Sequence, residues 1–199
     1  MQKVLAAHII ISVYGFWLPN DPRGSWSEFV ASWELFKFGR TTKVHTRESV
    51  AHISHDHDLR ISAKKALNHA PVLLNGMQAR AIARGFAQAA LEGEYPIHAC
   101  SILPDHVHLV VGRHQRPFEQ ITSHLKSRAT RQLRAENRHP LAKEEKADGS
   151  VPCVWARKLW KVYCDNPGHV INAIRYVEKN PVREQKKHQT WSFVIPWVG

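Results

Sequence analysis

Midway along the chain, two β-forming runs follow each other across a two-residue break. YPIHACSIL (95–103) and HVHLVVG (106–112) are rich in apolar and β-branched residues, and Pro104 and Asp105 stand between them. That pattern reads as a hairpin, which sets two neighbouring strands of one sheet. Helical patterns lie on either side. VLLNGMQARAIARGFAQAAL (72–91) is Ala-rich with apolar positions at helical spacing. Pro117 suits a first helical position, and Phe118, Ile121, Leu125, Ala129 and Leu133 form one apolar stripe in a helix over 117–137.

The outer segments complete the order. KVLAAHIIISVY (3–14) has no helical stripe and is β-branched from Ile9, so it reads as a strand; WARKLWKVYC (155–164) suggests another. Asp165 and Asn166 can cap a third helix that Pro167 opens. That helix is predicted over 168–180, ended by Asn180-Pro181 because a residue before proline disfavours the α region. The order β-α-β-β-α-β-α predicts an α+β fold of ferredoxin-like (RRM-like) type, an antiparallel sheet with helices on one face. Residues 15–65 read as an insertion after the first strand, within one domain spanning 1–199. In it, GFWLPNDPRGSW (15–26) is a loop, SEFVASWELF (27–36) has helical character, and HTRESVAHISHDHDLR (45–60) is polar and His-rich. ENRHPLAKEEKADGSVP (136–152) is a surface loop, and 181–199 form a basic tail ending in TWSFVIPWVG.

Charge narrows the partners. Lys and Arg number 28 against 17 Asp and Glu, a net charge of +11 with a pI near 9.9. Such an excess attracts a polyanion through counterion release, and nucleic acid is the commonest one in a cytosol. No run approaches the ~20 apolar residues of a membrane span. The first fifteen residues have polar breaks and no small-residue cleavage signature. Cys100, Cys153 and Cys164 form no CxxC pair, which argues against a disulfide scaffold. The expectation is a cytoplasmic, nucleoid-associated protein with no membrane partner.

LPDHVHLVV (103–111) carries the chemistry. Alternate residues of a strand share a face, so His106 and His108 project together while Val107 and Leu109 point the other way. Two imidazoles on one face can each offer a neutral nitrogen, half of a divalent-metal site. Taken alone, the pair also fits two histidines on a solvated sheet face. A histidine-triad hydrolase would need a third His where Val110 stands, and a two-histidine phosphoesterase would need Ser or Thr after each His, which LVV does not supply. In the last helix, Val170, Ile171, Ala173, Ile174 and Val177 share one apolar face. Tyr176 and Asn180, four apart, sit together on its flank. Alone, they read as a core-edge tyrosine and a helix terminator before Pro181.

Together, the His-hydrophobic-His strand after a Pro-Asp turn and the helix reading Tyr-hydrophobic-x-x-Asn-Pro-Val resemble a known family. They are similar to the HUH-superfamily single-strand DNA tyrosine transposases, of the small insertion-sequence and REP-associated types. The matching stretches are LPDHVHLVV and RYVEKNPVRE (175–184); His8 and Lys126 also look like family features. The resemblance spans 3–14 and about 70–190. It implies Mg²⁺ or Mn²⁺ held by His106 and His108 with Asn180 as third ligand, a position where some relatives carry Gln. It implies Tyr176 as the nucleophile, giving a 5′-phosphotyrosine and a free 3′-hydroxyl on single-stranded DNA, at hairpin-flanked ends. A phenol with a pKa of ~10 needs activation for that attack, by a base or by the nearby cation. Tyr163 is the alternative nucleophile. Insertion-sequence relatives pair and share a site while REP-associated ones act singly, so homodimer and monomer are both open. The alternative function is a domesticated, non-cleaving module that recognises DNA hairpins; replication and conjugative relatives are longer than 199 residues accommodate well.

Further residues are candidates for contact with DNA. Lys126, Arg128, Arg131 and Arg134 on the second helix are expected at phosphates. Arg157, Lys158 and Lys161, interleaved with Trp155 and Trp160, read as a charged strand with aromatic platforms for unpaired bases. Arg23 and Trp26 stand in the loop after the first strand. His52, His55 and His57, with Asp56 or Asp58, read as a polar loop rather than a second metal site.

Overall fold

The Leu103 N–H donates to the His106 carbonyl at 2.8 Å across Pro104-Asp105, closing the hairpin read from the sequence. The computed structural model describes residues 4–16, 18, 35 and 56–199, apart from the side chain of Lys158. In it β2 (Ile97–Ile102) pairs antiparallel with β3 (His106–Gly112), and β3 pairs antiparallel with β1 (Ala6–Val13). β4 (Trp155–Cys164) lies beside β1, giving the order β2-β3-β1-β4. With β1 and β3 central and helices between the strands, this is the ferredoxin-like arrangement expected from the element order.

The chain forms two compact units, Met1–Ser12 with Leu73–Gly199, and Val13–Val72. The second contains α1 (His57–Lys65), a helix absent from the sequence reading. Asp56 caps it, its Oδ1 accepting from the Leu59 N–H at 2.9 Å, and Leu18, Leu35 and Ala63 bury together within that unit. Polar crowding hid the helix, although an Asp ahead of HDLRISAKK is a start signal.

In the first unit, α2 (Gly76–Gly93) begins at a capping box. The Asn75 side chain accepts from the Met77 and Gln78 N–H groups while the Gln78 side chain accepts from that of Asn75. The helix therefore starts after Asn75 rather than at Val72. α2 meets α3 (Phe118–Ala135) at Gly85, where a Cβ would stand 2.6 Å from the Ala129 Cα; only glycine admits that backbone approach. On this side of the sheet the Phe86 ring stacks on Trp155 at 6.5 Å, and Trp155 Nε1 donates to Thr130. Trp155 is thus a core residue, not the base platform expected of it.

The sheet's other face belongs to α4 (Pro167–Arg183), so the helices lie on both faces of the sheet rather than on the one expected. Its Val170 and Val177 bury against Ala6, Ala99, Val110 and Cys164, with Ala173, Ile174 and Trp197 packed around them. Asn166 is the cap, accepting from the His169 N–H at 2.9 Å. α4 does not stop at Asn180: it runs through Pro181 to Arg183. So close to the helix end, proline removes one backbone bond, and the burial of Asn180 and Pro181 holds the last turn in place. The tail beyond it covers the free edge of β2. The Gln189 amide accepts from the Ile102 N–H (2.7 Å) and donates to the Ile102 carbonyl (2.8 Å), and the Ile195 N–H donates to the Ile97 carbonyl. An edge closed in this way offers no ladder to another strand.

Candidate active site

Register decides which side chains share the α4 face. Ile9 opposes Leu109 and Ile11 opposes Val107, all four fully buried on one side. His8, Ile10 and Ser12 oppose Val110, His108 and His106 on the other. The two-residue period that puts His106 and His108 together also brings His8 beside them from the neighbouring strand.

The three imidazoles form a chain. His8 Nε2 lies 3.0 Å from His108 Nδ1, His108 Nε2 lies 2.8 Å from His106 Nε2, and His106 Nδ1 lies 2.6 Å from Asp105 Oδ1. Burial, and secondarily the His106 ring, brings the His8 pKa down to about 4. Burial, with His106 and His8, holds His108 well below the ordinary imidazole value. Both rings are therefore neutral near pH 7, the form that binds metals.

α4 adds the phenol. The Tyr176 ring stands edge-on to His108 at 5.6 Å and to His8 at 5.5 Å. It keeps 41% of its surface exposed. Partial burial pushes its pKa above the ordinary phenol value; the Arg183 guanidinium, 5.4 Å from the ring centroid, opposes that rise and Glu184 adds to it. Asn180, one turn on, is buried at 6% exposure. Asp105 and Arg183 were missed by the sequence reading. Their signals were an Asp directly before the first His, and an Arg two helical turns after the Tyr.

The donor set suits a small divalent ion. Two ligand nitrogens at right angles, each ~2 Å from one octahedral ion, lie ~3 Å apart, and the Nε2 atoms of His106 and His108 are 2.8 Å apart. Asp105 fixes the His106 ring from behind, the usual support for a ligand histidine. Among the described residues no group of three or more His, Cys, Asp and Glu side chains is arranged as a metal site; the set expected from the sequence has an amide, Asn180, as its third member.

The predicted DNA contacts separate into distinct settings. Lys126, Arg157 and Lys161 line a cavity of about 430 Å³ between α3 and β4, together with Glu119, Thr122 and Ser123. Lys126 Nζ donates to the Ala156 carbonyl at 2.9 Å, Lys161 pairs with Glu119, and Arg157 is exposed. Arg128 pairs with Glu92, while Arg131 and Arg134 are exposed on α3. Tyr163 is 48% exposed beside Phe118 and Lys161 and is not among the rings around His8 and His108. Asp56 is engaged as the α1 cap, and His57 and Asp58 lie in that helix. Arg23, Trp26, His52, His55 and the side chain of Lys158 lie outside the described residues.

No protein-family model matches the chain, and no curated protein matches it. Two solved structures are distantly similar. One is a REP-associated tyrosine transposase bound to a REP hairpin, with TM-score 0.48 and 11% identity, covering 92% of this chain and 69% of that one. The other is a protein described as a transposase from Deinococcus radiodurans R1, with TM-score 0.42 and 13% identity, covering 92% of both chains. No helix among the described residues is long and apolar enough to cross a membrane.

Proposed function

We propose that this chain is a metal-dependent HUH tyrosine transposase, an endonuclease and strand transferase acting on single-stranded DNA at hairpin-flanked ends. The observation that carries the reading is the Tyr176 ring 5.6 Å from that of His108, over the face where His106 and His108 converge. A phenol beside two imidazoles that share one sheet face is a nucleophile next to an ion site. One chain supplies all of these groups, so the reading assigns a complete site to one protomer.

His106, His108 and Asn180 would hold Mg²⁺ or Mn²⁺, which when bound polarises a phosphate oxygen and offsets charge developing at phosphorus. Tyr176 Oη attacks the phosphorus of the scissile phosphodiester. The P–Oη bond forms, the bond to the 3′-oxygen breaks, and the phenol's proton is balanced by one taken up at the leaving 3′-oxygen. The product is a 5′-phosphotyrosine with a free 3′-hydroxyl. One phosphodiester has replaced another, so a second strand's 3′-hydroxyl can reverse the attack without a nucleotide cofactor. Arg183, over the Tyr176 ring, favours the phenolate as the proton leaves. Exposed Arg157, Arg131 and Arg134 offer phosphate contacts along the strand.

The test is cleavage of a hairpin oligonucleotide with single-stranded flanks, in Mg²⁺ or Mn²⁺, followed by denaturing electrophoresis. The wild type should give a metal-dependent covalent adduct on the 3′ fragment, and Tyr176→Phe none. An adduct that persists in Tyr176→Phe moves the role elsewhere, first to Tyr163. Hairpin binding with no adduct under either metal means a non-cleaving module.

A further inference from the structure

We propose that His8 is a positioning residue for the metal site, accepting the Nδ1 proton of His108 so that the His108 Nε2 lone pair is free for the ion. The inference rests on the metal-site reading above.

A neutral imidazole carries one N–H and one lone pair, so fixing one nitrogen fixes the other. At His106 the carboxylate of Asp105 can only accept, which puts the proton on Nδ1 and the lone pair on Nε2. The Nε2 of His108 faces that lone pair at 2.8 Å. For both nitrogens to serve one ion, the His108 proton must sit on Nδ1. His108 is 2% exposed, so that proton needs an acceptor inside the protein. His8 Nε2, 3.0 Å away, is that acceptor.

Without an ion the same atoms satisfy one another in the opposite sense. His8 Nε2–H donates to His108 Nδ1, His108 Nε2–H donates to His106 Nε2, and His106 Nδ1–H donates to Asp105. Ion binding thus exchanges the tautomers of His108 and His8 with no net gain or loss of a proton. His8 is held for this task. It stacks on His108 with ring centroids 5.2 Å apart and planes at 23°, and meets Trp160 and Tyr176 edge-on. It also stands on a central strand rather than a loop, and so cannot drift from His108.

The experiment is Mn²⁺ titration of the full chain without DNA, read by the electron paramagnetic resonance signal of free Mn²⁺. The proteins are wild type, His106→Ala, His8→Leu and His8→Gln, with melting curves of the metal-free forms. Leu removes the acceptor at similar volume; the Gln amide oxygen reaches roughly where Nε2 sits. Second-sphere histidine partners are worth about 10- to 100-fold in affinity, so His8→Leu should weaken binding by that factor and His8→Gln by less than about 3-fold. Wild-type affinity in His8→Leu, or a His8→Gln as weak as His8→Leu, overturns the proposal. If His8→Leu does not fold, His8→Gln decides: near-wild-type binding supports the role, and a loss of about 10-fold or more overturns it. No Mn²⁺ binding by the wild type, or unchanged binding in His106→Ala, overturns the metal-site reading and this proposal with it. Loss in His106→Ala with none in His8→Leu overturns this proposal alone.

Discussion

The Tyr176 ring stands edge-on to that of His108, with planes at 75° and centroids 5.6 Å apart, though one sits on the last helix and the other on a central strand. The contact exists because Val170 and Val177 bury against Ala6, Ala99 and Val110. That packing fixes the rotation of α4 and carries Tyr176, next to Val177 in sequence, to the edge of the buried face. The nucleophile proposed here is therefore aimed by the core beneath it.

Arg183 should set the pH at which Tyr176 reacts. Its guanidinium lies over the phenol ring and favours the ionised form against the effect of burial. In Arg183→Met the pH profile of adduct formation should move to higher pH, with a rate near neutrality lower by about 2- to 5-fold, as a loss of ~0.5–1 kcal/mol of cation–π attraction requires. An unmoved profile would separate Arg183 from the phenol.

Acid should unfold the metal-free protein early. His8 titrates near 6.5 when unfolded and near 4 when folded. The unfolded chain thus binds more protons between these values, and stability falls as pH drops through that window. His8 alone accounts for about 3 kcal/mol lost by pH 4, at ~1.4 kcal/mol per pH interval, and His108 acts in the same direction. Urea melts at pH 7.5, 5.5 and 4.5 measure the slope, which should flatten in His8→Gln.

Gly85→Val should loosen the pairing of α2 with α3. The added Cβ falls 2.6 Å from the Ala129 Cα and 2.7 Å from its nitrogen, both backbone atoms that cannot rotate away. Overpacking of this kind costs about 1–3 kcal/mol, and a lowered melting temperature with an unchanged spectrum of secondary structure is the expected result.

Gln189→Ala should open the edge of β2. Two side-chain bonds to Ile102 are lost, about 1–2 kcal/mol together. Hydrogen exchange at the Ile102 amide should accelerate by about 5- to 30-fold, the factor that 1–2 kcal/mol gives, while amides in β1 stay protected.

Arg157 and Lys126 should behave differently although both line the α3–β4 cavity. Arg157 is exposed, so Arg157→Ala should reduce the salt slope of DNA affinity by about one. Lys126 donates to the Ala156 carbonyl, and burial lowers its pKa, so Lys126→Ala should lower the melting temperature more than the salt slope. Filter-binding titrations at several salt concentrations separate the two outcomes.

Local spacing determined a great deal. The strand period put His106 and His108 on one face, the helical period put Tyr176 and Asn180 on one flank, and alternating patterns set the element order from which the ferredoxin-like fold was read. One local rule misleads: proline after Asn180 predicts the end of the helix, but burial of both residues keeps it going. Other facts rest on pairings between segments far apart in the chain, and no periodicity within a segment encodes them. Strand register brought His8 to within hydrogen-bonding reach of His108, helix packing chose the face that α4 covers, and Gln189 met the free edge of β2. The chemical groups and their spacing were legible in the sequence. Their meeting at one site was decided by the tertiary structure, because contacts across the sheet depend on how whole elements pack.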